Sequence, residues 1–343
     1  MCNKMIKSRT TITEIARLLK VAPSTVSRAL NNHPKISEKT RNAVIELARK
    51  LNYQPNLLAL NLLKNRTNTI GVIVPEITSY FFSSVIGGIQ DVLNPQGLNM
   101  IIGQSNESYQ EEKSIVQTFV SVRVDGFLIS PSSETKTFDH LKVLTDNNIP
   151  LVIFDRDCEE LNVDKVFVDE YKGAFQAVEY LIKTGCRRIA HITGPLSLST
   201  ARHRLKAYKE ALSAHNLPLK EEYIVEASGF APEHGIDPTK KLLALPQPPD
   251  AIFTINDGVA IGAMFVIKEA GIVIPNEISV IGFDDDPHSC YFKPSLSTVW
   301  QPTYELGMLS ARILLKRINS NNDISKVRVE KLFPELVIRG SSK

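Results

Sequence analysis

Cysteine is scarce: Cys2, Cys158, Cys186 and Cys290 are the only four in 343 residues. They form no C-x-x-C pair and have no histidine at zinc-site spacing. That argues against a disulfide framework or a structural zinc, and predicts reduced thiols in a cytoplasmic protein. Long hydrophobic runs are also missing. No stretch of ~18 apolar residues occurs, so no membrane span is expected. The opening residues, MCNKMIKSRT, are basic and polar with no apolar core, so no secretory signal is expected. Signatures of catalysis are absent too. There is no G-x-x-x-x-G-K-[ST], Gly87-Gly88 does not extend to G-x-G-x-x-G, and no G-x-S-x-G occurs. The seven histidines are dispersed, and none pairs with a Ser or Cys in a readable triad. Asp284-Asp285-Asp286 resembles a metal cluster, but adjacent acids after a strand more often mark a loop or a ligand contact. The expectation is a protein that is not an enzyme and carries no cofactor or metal.

What is present is a charge asymmetry. Residues 1–66 hold seven Lys and six Arg against Glu14, Glu38 and Glu46, a surplus of +10, whereas the whole chain carries only +3. A basic head on a mildly acidic body points to a polyanion partner for the head. The same region reads TITEIARLLKVAPSTVSRALN from Thr11 to Asn31. Thr11 and Glu14 form a T-x-x-E capping box that opens a helix at Ile12. Ile12, Ile15, Ala16 and Leu19 fall on one face of it. Pro23 suits the first position of a second helix, where its missing N–H has no partner to lose. Val26, Ala29 and Leu30 form that helix's buried stripe, leaving Ser24, Thr25, Ser27, Arg28 and Asn31 outside. Small hydroxyls, an amide and one Arg let a helix enter a major groove closely and offer donors and acceptors to bases and phosphates. The pattern is that of a helix-turn-helix, although a plain helical hairpin would need no more than two amphipathic helices.

Ser37 caps a third expected helix, Glu38 to Leu51, with Val44, Ile45, Leu47, Ala48 and Leu51 inward and Arg41, Arg49 and Lys50 outward. Leu57 to Lys64 is helical in period but only about two turns long, marginal by itself and apolar on almost every side. From Thr69 onward short β-branched runs alternate with helical stretches. The runs include IGVIVPEI, NMIIGQS, GFLIS, PLVIFD, KVFVD, RIAHITG, YIVEAS, DAIFTIN and ISVIGFDD. Repeated β-α alternation implies doubly wound parallel sheets with strands buried on both faces. So many units exceed one comfortable sheet, so two α/β lobes are expected, with a ligand between them at the carboxyl ends of the strands.

TITEIARLLKVAPSTVSRALN, ISEKTRNAVIELARKLNYQPN and NTIGVIVPEI follow one another as in the lactose-repressor (LacI/GalR) family of bacterial transcription regulators. VDGFLIS, TGCRRIAHITGP, ARHRLKAYKEAL, DAIFTINDGVAIGAM, IPNEISVIGFDD and LSTVWQP continue the resemblance over about residues 10 to 341. The resemblance implies an N-terminal all-α helix-turn-helix head (10–54), a hinge helix and linker (55–66), and an effector-binding and dimerisation body (67–343). The body would be periplasmic-binding-protein-like, with lobe 1 at about 68–165 and 291–321 and lobe 2 at about 166–290 and 322–341. It further implies a homodimer on a palindromic operator, switched by a small molecule in the cleft that alters the lobe angle. No heptad-rich segment follows Gly340, so a dimer is expected over a coiled-coil tetramer.

Residue by residue, the resemblance places Pro23, Ser24 and Arg28 at base-reading positions and Thr25, Ser27, Asn31, Ser37 and Thr40 at phosphate-contacting ones. Leu62 matches a hinge leucine that wedges into the minor groove, and Asn56 and Ala59 match hinge positions facing backbone and groove. Three departures stand out. Lys20 occupies a turn position that usually holds Gly, Ala22 one where Ser or Thr usually caps the recognition helix, and Leu60 one where many relatives carry Arg. In the body, Phe81 and Phe82 match cleft-edge aromatics, Thr200 and Arg204 ligand-facing positions, and Phe230 a stacking aromatic. Asn256, Asp257 and Asp284 match polar ligand contacts, and Asp155 an acidic position near the crossing strands. Arg204 would grip effector hydroxyls or a carboxylate. Read as plain structure, Phe230 is core and Asp257 an N-cap before Gly258. Aromatic platforms with planar polar groups suit a sugar ring, and Leu198, where the purine-binding relative is polar, argues against a purine. Two alternatives stand beside a sugar-switched repressor: a catabolite-control-type regulator with a protein corepressor, and a periplasmic-type sugar-binding protein. The second would lack the basic head.

Overall fold

The computed structural model describes residues 10–53, 66–320 and 327–343 and divides into two compact units, Met1–Thr67 and Asn68–Lys343. The expected hinge residues Asn56, Ala59, Leu60 and Leu62 lie outside the described residues. Among the described residues, no helix is long and apolar enough to cross a membrane.

Among the described residues the first unit holds three helices: α1 (Ile12–Leu19), α2 (Pro23–Leu30) and α3 (Glu38–Lys50). Thr11 caps α1 through its hydroxyl, which accepts the Glu14 N–H at 3.2 Å, as the T-x-x-E pattern requires. Ile15, Ala16, Val26, Ala29, Val44 and Ala48 form the small core. Ile45 is a correction: it is exposed rather than inward, because the i, i+4 stripe set by Val44 and Ala48 faces the other helices. Arg41 is a second. It is half-buried and its guanidinium donates to the carbonyls of His33 and Ile36, pinning the loop between α2 and α3. Lys20 takes the left-handed conformation (φ 54°) that Gly adopts freely, and no side chain caps α2 at Ala22. The first departure is accommodated in the backbone, and the second leaves the start of α2 without a side-chain cap.

The second unit follows the β-α rhythm. Its elements begin with β1 (Thr69–Val74), α4 (Tyr80–Leu93), β2 (Asn99–Gln104), α5 (Tyr109–Ser121), β3 (Gly126–Ile129) and α6 (Asp139–Asp146). Next come β4 (Leu151–Phe154), β5 (Asp164–Val168), α7 (Glu170–Lys183), β6 (Ile189–Thr193) and α8 (Ser199–Ala214). The second half continues with β7 (Ile224–Glu226), α9 (Ile236–Leu243), β8 (Ala251–Thr254), α10 (Asp257–Glu269) and β9 (Ser279–Ile281). β10 (Thr298–Trp300), α11 (Thr303–Asn319), β11 (Val329–Leu332) and β12 (Glu335–Val337) complete it. One parallel sheet runs β11-β5-β4-β3-β1-β2 and the other β7-β6-β8-β9, so there are two lobes, and β10 and β12 pair antiparallel.

The lobe boundaries differ from the sequence-based ones. Leu296 and Val299 pack into the cores of the second lobe, so 291–300 stays there, whereas β11 pairs with β5 and belongs to the first sheet. The chain returns to the first lobe only with α11. That helix crosses α4 backbone to backbone: a Cβ at Gly88 would sit 2.1 Å from the Tyr304 carbonyl oxygen, and one at Gly307 2.0 Å from that of Val85. β2 departs from the doubly buried expectation. It is an edge strand, and Ile101 and Ile102 are exposed.

Candidate functional site

On the head, Pro23, Ser24 and Arg28 are exposed on one side of α2, and Thr25 and Ser27 are half-buried beside them. Asn31 donates from its amide to the Ser27 carbonyl at 2.9 Å. Ser37 and Thr40 share a hydroxyl contact of 2.9 Å at the start of α3, where Ser37 is the cap. The polar face expected of a reading helix is therefore available.

In the body a cleft of about 440 Å³ opens between the carboxyl ends of the two sheets. All nine sequence-derived candidates line it: Phe81, Phe82, Asp155, Thr200, Arg204, Phe230, Asn256, Asp257 and Asp284. Several do structural work that the sequence did not reveal. Asn256, not Asp257, caps α10: its side-chain oxygen accepts the Val259 N–H at 3.0 Å and its amide donates to the Phe230 carbonyl at 2.9 Å. Asp257 is the first helical residue. Its carboxylate accepts the Asp286 N–H at 2.8 Å and the hydroxyls of Ser289 and Thr298 at 2.7 and 2.6 Å, tying the crossing segments together. Burial pushes its carboxyl up to about 7 against those donors.

Arg204, buried on α8, donates from Nε to Glu170 at 2.6 Å and from Nη1 to the Ile255 carbonyl, and its guanidinium lies 3.6 Å from the Phe283 ring centroid. Burial raises the Glu170 carboxyl, with Arg204 pulling the other way. The three consecutive acids part company: Asp284 accepts from Gln301 at 2.7 Å, Asp285 pairs with Arg339 at 2.7 Å, and Asp286 holds His288 at 2.8 Å. Among the described residues, no group of three or more His, Cys, Asp or Glu is placed to hold a metal ion. Asp155 and Asp284 both have positive φ, 66° and 117°, a strained region for non-glycine residues. Burial pushes Asp155 up to about 6, against the pull of Arg156, and Asp284 well above the usual carboxylate range.

Arg156, Glu107, Glu170 and Gln301 were not among the candidates. Arg156 is buried and forms a two-pronged pair with Glu107, both contacts 2.7 Å, and also donates to the Pro131 carbonyl at 2.9 Å. Glu107 further accepts the Ser133 N–H at 2.7 Å. Burial pushes the Glu107 carboxyl up, but Arg156 and Ser133 outweigh it and the net shift is downward. The 131–135 loop is fixed from its other side by fully buried Glu112, which accepts from the Ser132 N–H and the Thr135 hydroxyl and shares a 2.6 Å hydrogen bond with His140. The one sequence signal for Arg156 was its place in an Asp155-Arg156 pair of charges after a wholly apolar strand.

A helical head with an exposed polar second helix, together with a two-lobed α/β body with a furnished cleft, defines a ligand-responsive DNA-binding regulator of transcription. Residues 11–56 match the family model described as bacterial regulatory proteins, lacI family, and residues 178–342 the periplasmic binding protein-like domain. Over 340 residues the chain is 36% identical to the probable HTH-type transcriptional repressor ExuR of Bacillus subtilis, covering 96% of this chain and 98% of that one. It is 34% identical over 340 residues to the HTH-type transcriptional repressor CytR of Escherichia coli, covering 99% and 98%. A solved structure, the lac repressor dimer bound to operator and the anti-inducer ONPF, matches with TM-score 0.86 and 26% identity over 97% of this chain and 99% of that one. The chain belongs to the lacI family of bacterial regulatory proteins, a family of DNA-binding repressors rather than enzymes.

Proposed function

We propose that this chain represses transcription by binding a palindromic operator as a homodimer, and that a small polyhydroxylated effector in the inter-lobe cleft switches it. The observation that carries the reading is the cleft itself. It is large enough for a sugar-sized ligand, flanked by Phe82 and Phe230, and furnished with polar groups from both lobes. A transcriptional regulator matched in structure, CelR, is bound to cellobiose, which supports a carbohydrate. In this reading Arg28 and its neighbours on α2 read bases, and Ser37 and Thr40 contact phosphate. Residues 10–54 are the DNA-binding domain, and 67–343 carry effector binding and dimerisation. The exposed apolar side chains of edge strand β2, Ile101 and Ile102, suit a contact with a second copy.

The test has two arms. DNA fragments selected from random sequence by the purified protein should yield a two-fold symmetric site bound by two copies. Adding the cognate sugar should change that affinity. Selection of an asymmetric site bound by one copy would overturn the dimer, and a full sugar panel without effect on DNA affinity would overturn the switch.

A further inference from the structure

Two guanidiniums line the cleft, and both are committed to the protein's own carboxylates. Arg156 spends both terminal nitrogens on Glu107, and its Nε lies 3.6 Å from Asp155. Arg204 spends Nε on Glu170 and Nη1 on a backbone carbonyl. The histidine at the mouth, His288, is held by Asp286. Among the described residues no lysine lines the cleft. Two further acids of the cleft have no ion pair of their own. Asp284 is held by a neutral amide and Asp257 by neutral hydroxyls and an N–H. Gln301 adds a second observation. It is 2% exposed, its Nε2 is used by Asp284, and its Oε1 has no hydrogen-bond partner among the described residues. That is a buried acceptor on the cleft wall waiting for a donor.

We propose that the effector is an uncharged polyhydroxylated molecule, and that the cleft rejects its acidic and phosphorylated counterparts. The inference rests on the effector-cleft reading above and narrows it. A carboxylate or phosphate entering here would meet no unpaired cation and would lie against surplus carboxyl groups. Hydroxyls both donate and accept, so they satisfy Gln301 Oε1 and the free carboxyl oxygens while accepting from the remaining guanidinium N–H groups. Phe82 and Phe230 cover the apolar face of a ring. Arg204 is thereby a hydroxyl donor and not a carboxylate grip.

The experiment measures binding to the full chain, by calorimetry, of ribose, glucose and galactose, each beside its phosphate ester and, for the hexoses, its uronic acid. At least one neutral sugar should bind, with its charged counterparts weaker by roughly 100-fold. An acid or ester that binds as tightly as its neutral partner would overturn the inference. If that binding were also lost in Phe230→Ala, the cleft reading would survive and only the charge selection would fall. No binding by any member would overturn both. Glu170→Gln frees Arg204 from its counter-charge and should improve the relative affinity for the acid by about tenfold. Glu107→Gln does the same for Arg156 should the first variant fail to fold. A folded variant with an unchanged acid-to-neutral ratio would also overturn the inference.

Discussion

The Arg156 guanidinium sits between Phe82 and Phe230, 5.9 and 5.7 Å from their ring centroids, while Glu107 grips both its terminal nitrogens. Phe82 belongs to α4 of the first lobe and Phe230 to the loop after β7 in the second. One cation therefore touches an aromatic platform on each side of the cleft, with its charge balanced by a residue 49 positions away.

Arg156→Ala should be costly. It leaves the Pro131 carbonyl without the Arg156 donor and Glu107 with only the Ser133 N–H, and breaking a buried pair from one side costs about 3–5 kcal/mol. Arg156→Lys keeps the charge but not the fork, so it should lose less stability and still weaken effector binding. Thermal melts paired with effector titration check both. Equal stability of wild type and Arg156→Ala would show that the pair holds nothing together.

The α4–α11 crossing gives a prediction independent of ligand. Gly307→Ala places a methyl 2.0 Å from the Val85 carbonyl oxygen, and backbone on a packed helix cannot yield as a side-chain tip can. Overpacking of this kind costs about 1–3 kcal/mol or more. Gly97→Ala is the useful contrast: its φ of +67° makes it strained, but nothing lies within 4 Å of the new methyl. Denaturant midpoints should rank wild type above Gly97→Ala above Gly307→Ala.

His191 supplies the pH dependence. It is fully buried between Phe253 and Tyr208, with ring centroids at 4.9 and 5.3 Å, and burial pushes it from 6.5 to about 4. Below its ordinary value the unfolded chain takes up a proton that the folded chain refuses. Stability is thus intact above 6.5 and is lost as pH falls toward 4, at about 1.4 kcal/mol per pH unit. Asp155, whose folded value is raised from 3.8 to about 6, works in the opposite sense as pH rises through that window. The difference between wild type and His191→Phe isolates the histidine. Between pH 6.5 and 4 the variant should lose less stability than wild type; parallel curves would refute the assignment.

Much of this arrangement was legible in the residues, for identifiable reasons. Periodic burial of Ile15, Ala16, Val26 and Ala29 and the Thr11 cap are local effects, and local effects can be read from spacing. The inner strands of both sheets, such as β1, β3, β4, β6 and β8, are apolar because both their faces are covered, which also reads directly. The edge strands differ: in β2, Ile101 and Ile102 carry the same apolar pattern but are exposed, and β7 is only half-buried, because apolarity alone does not say what does the covering. α9, α11 and the β10–β12 pair went unread. The Arg156–Glu107 pair was also invisible, since the partners meet only through sheet topology. Asp257 illustrates a finer limit. Capping by Asn256 or Asp257 differs by one residue in register, and only the backbone geometry of the helix start decides it.

The head offers the last prediction, and it joins stability to recognition. Ala22 stands at the N-cap of α2 with no side chain to accept an orphan N–H, although its backbone is already extended at ψ 146°. Ala22→Ser supplies the acceptor without moving the chain and should stabilise the head by about 1 kcal/mol. The capped position immediately precedes Pro23 and Ser24, so a firmer helix start should also tighten operator binding modestly. Arg28→Ala acts differently. It removes an exposed side chain, leaves stability nearly unchanged, and should cost about 1–3 kcal/mol of discrimination between operator and unrelated DNA. Titrating both variants against operator and a scrambled duplex at two salt concentrations separates the effects. Arg28→Ala should narrow the ratio of specific to non-specific affinity while Ala22→Ser preserves it. An unchanged ratio in Arg28→Ala would mean that α2 does not read the operator through this residue.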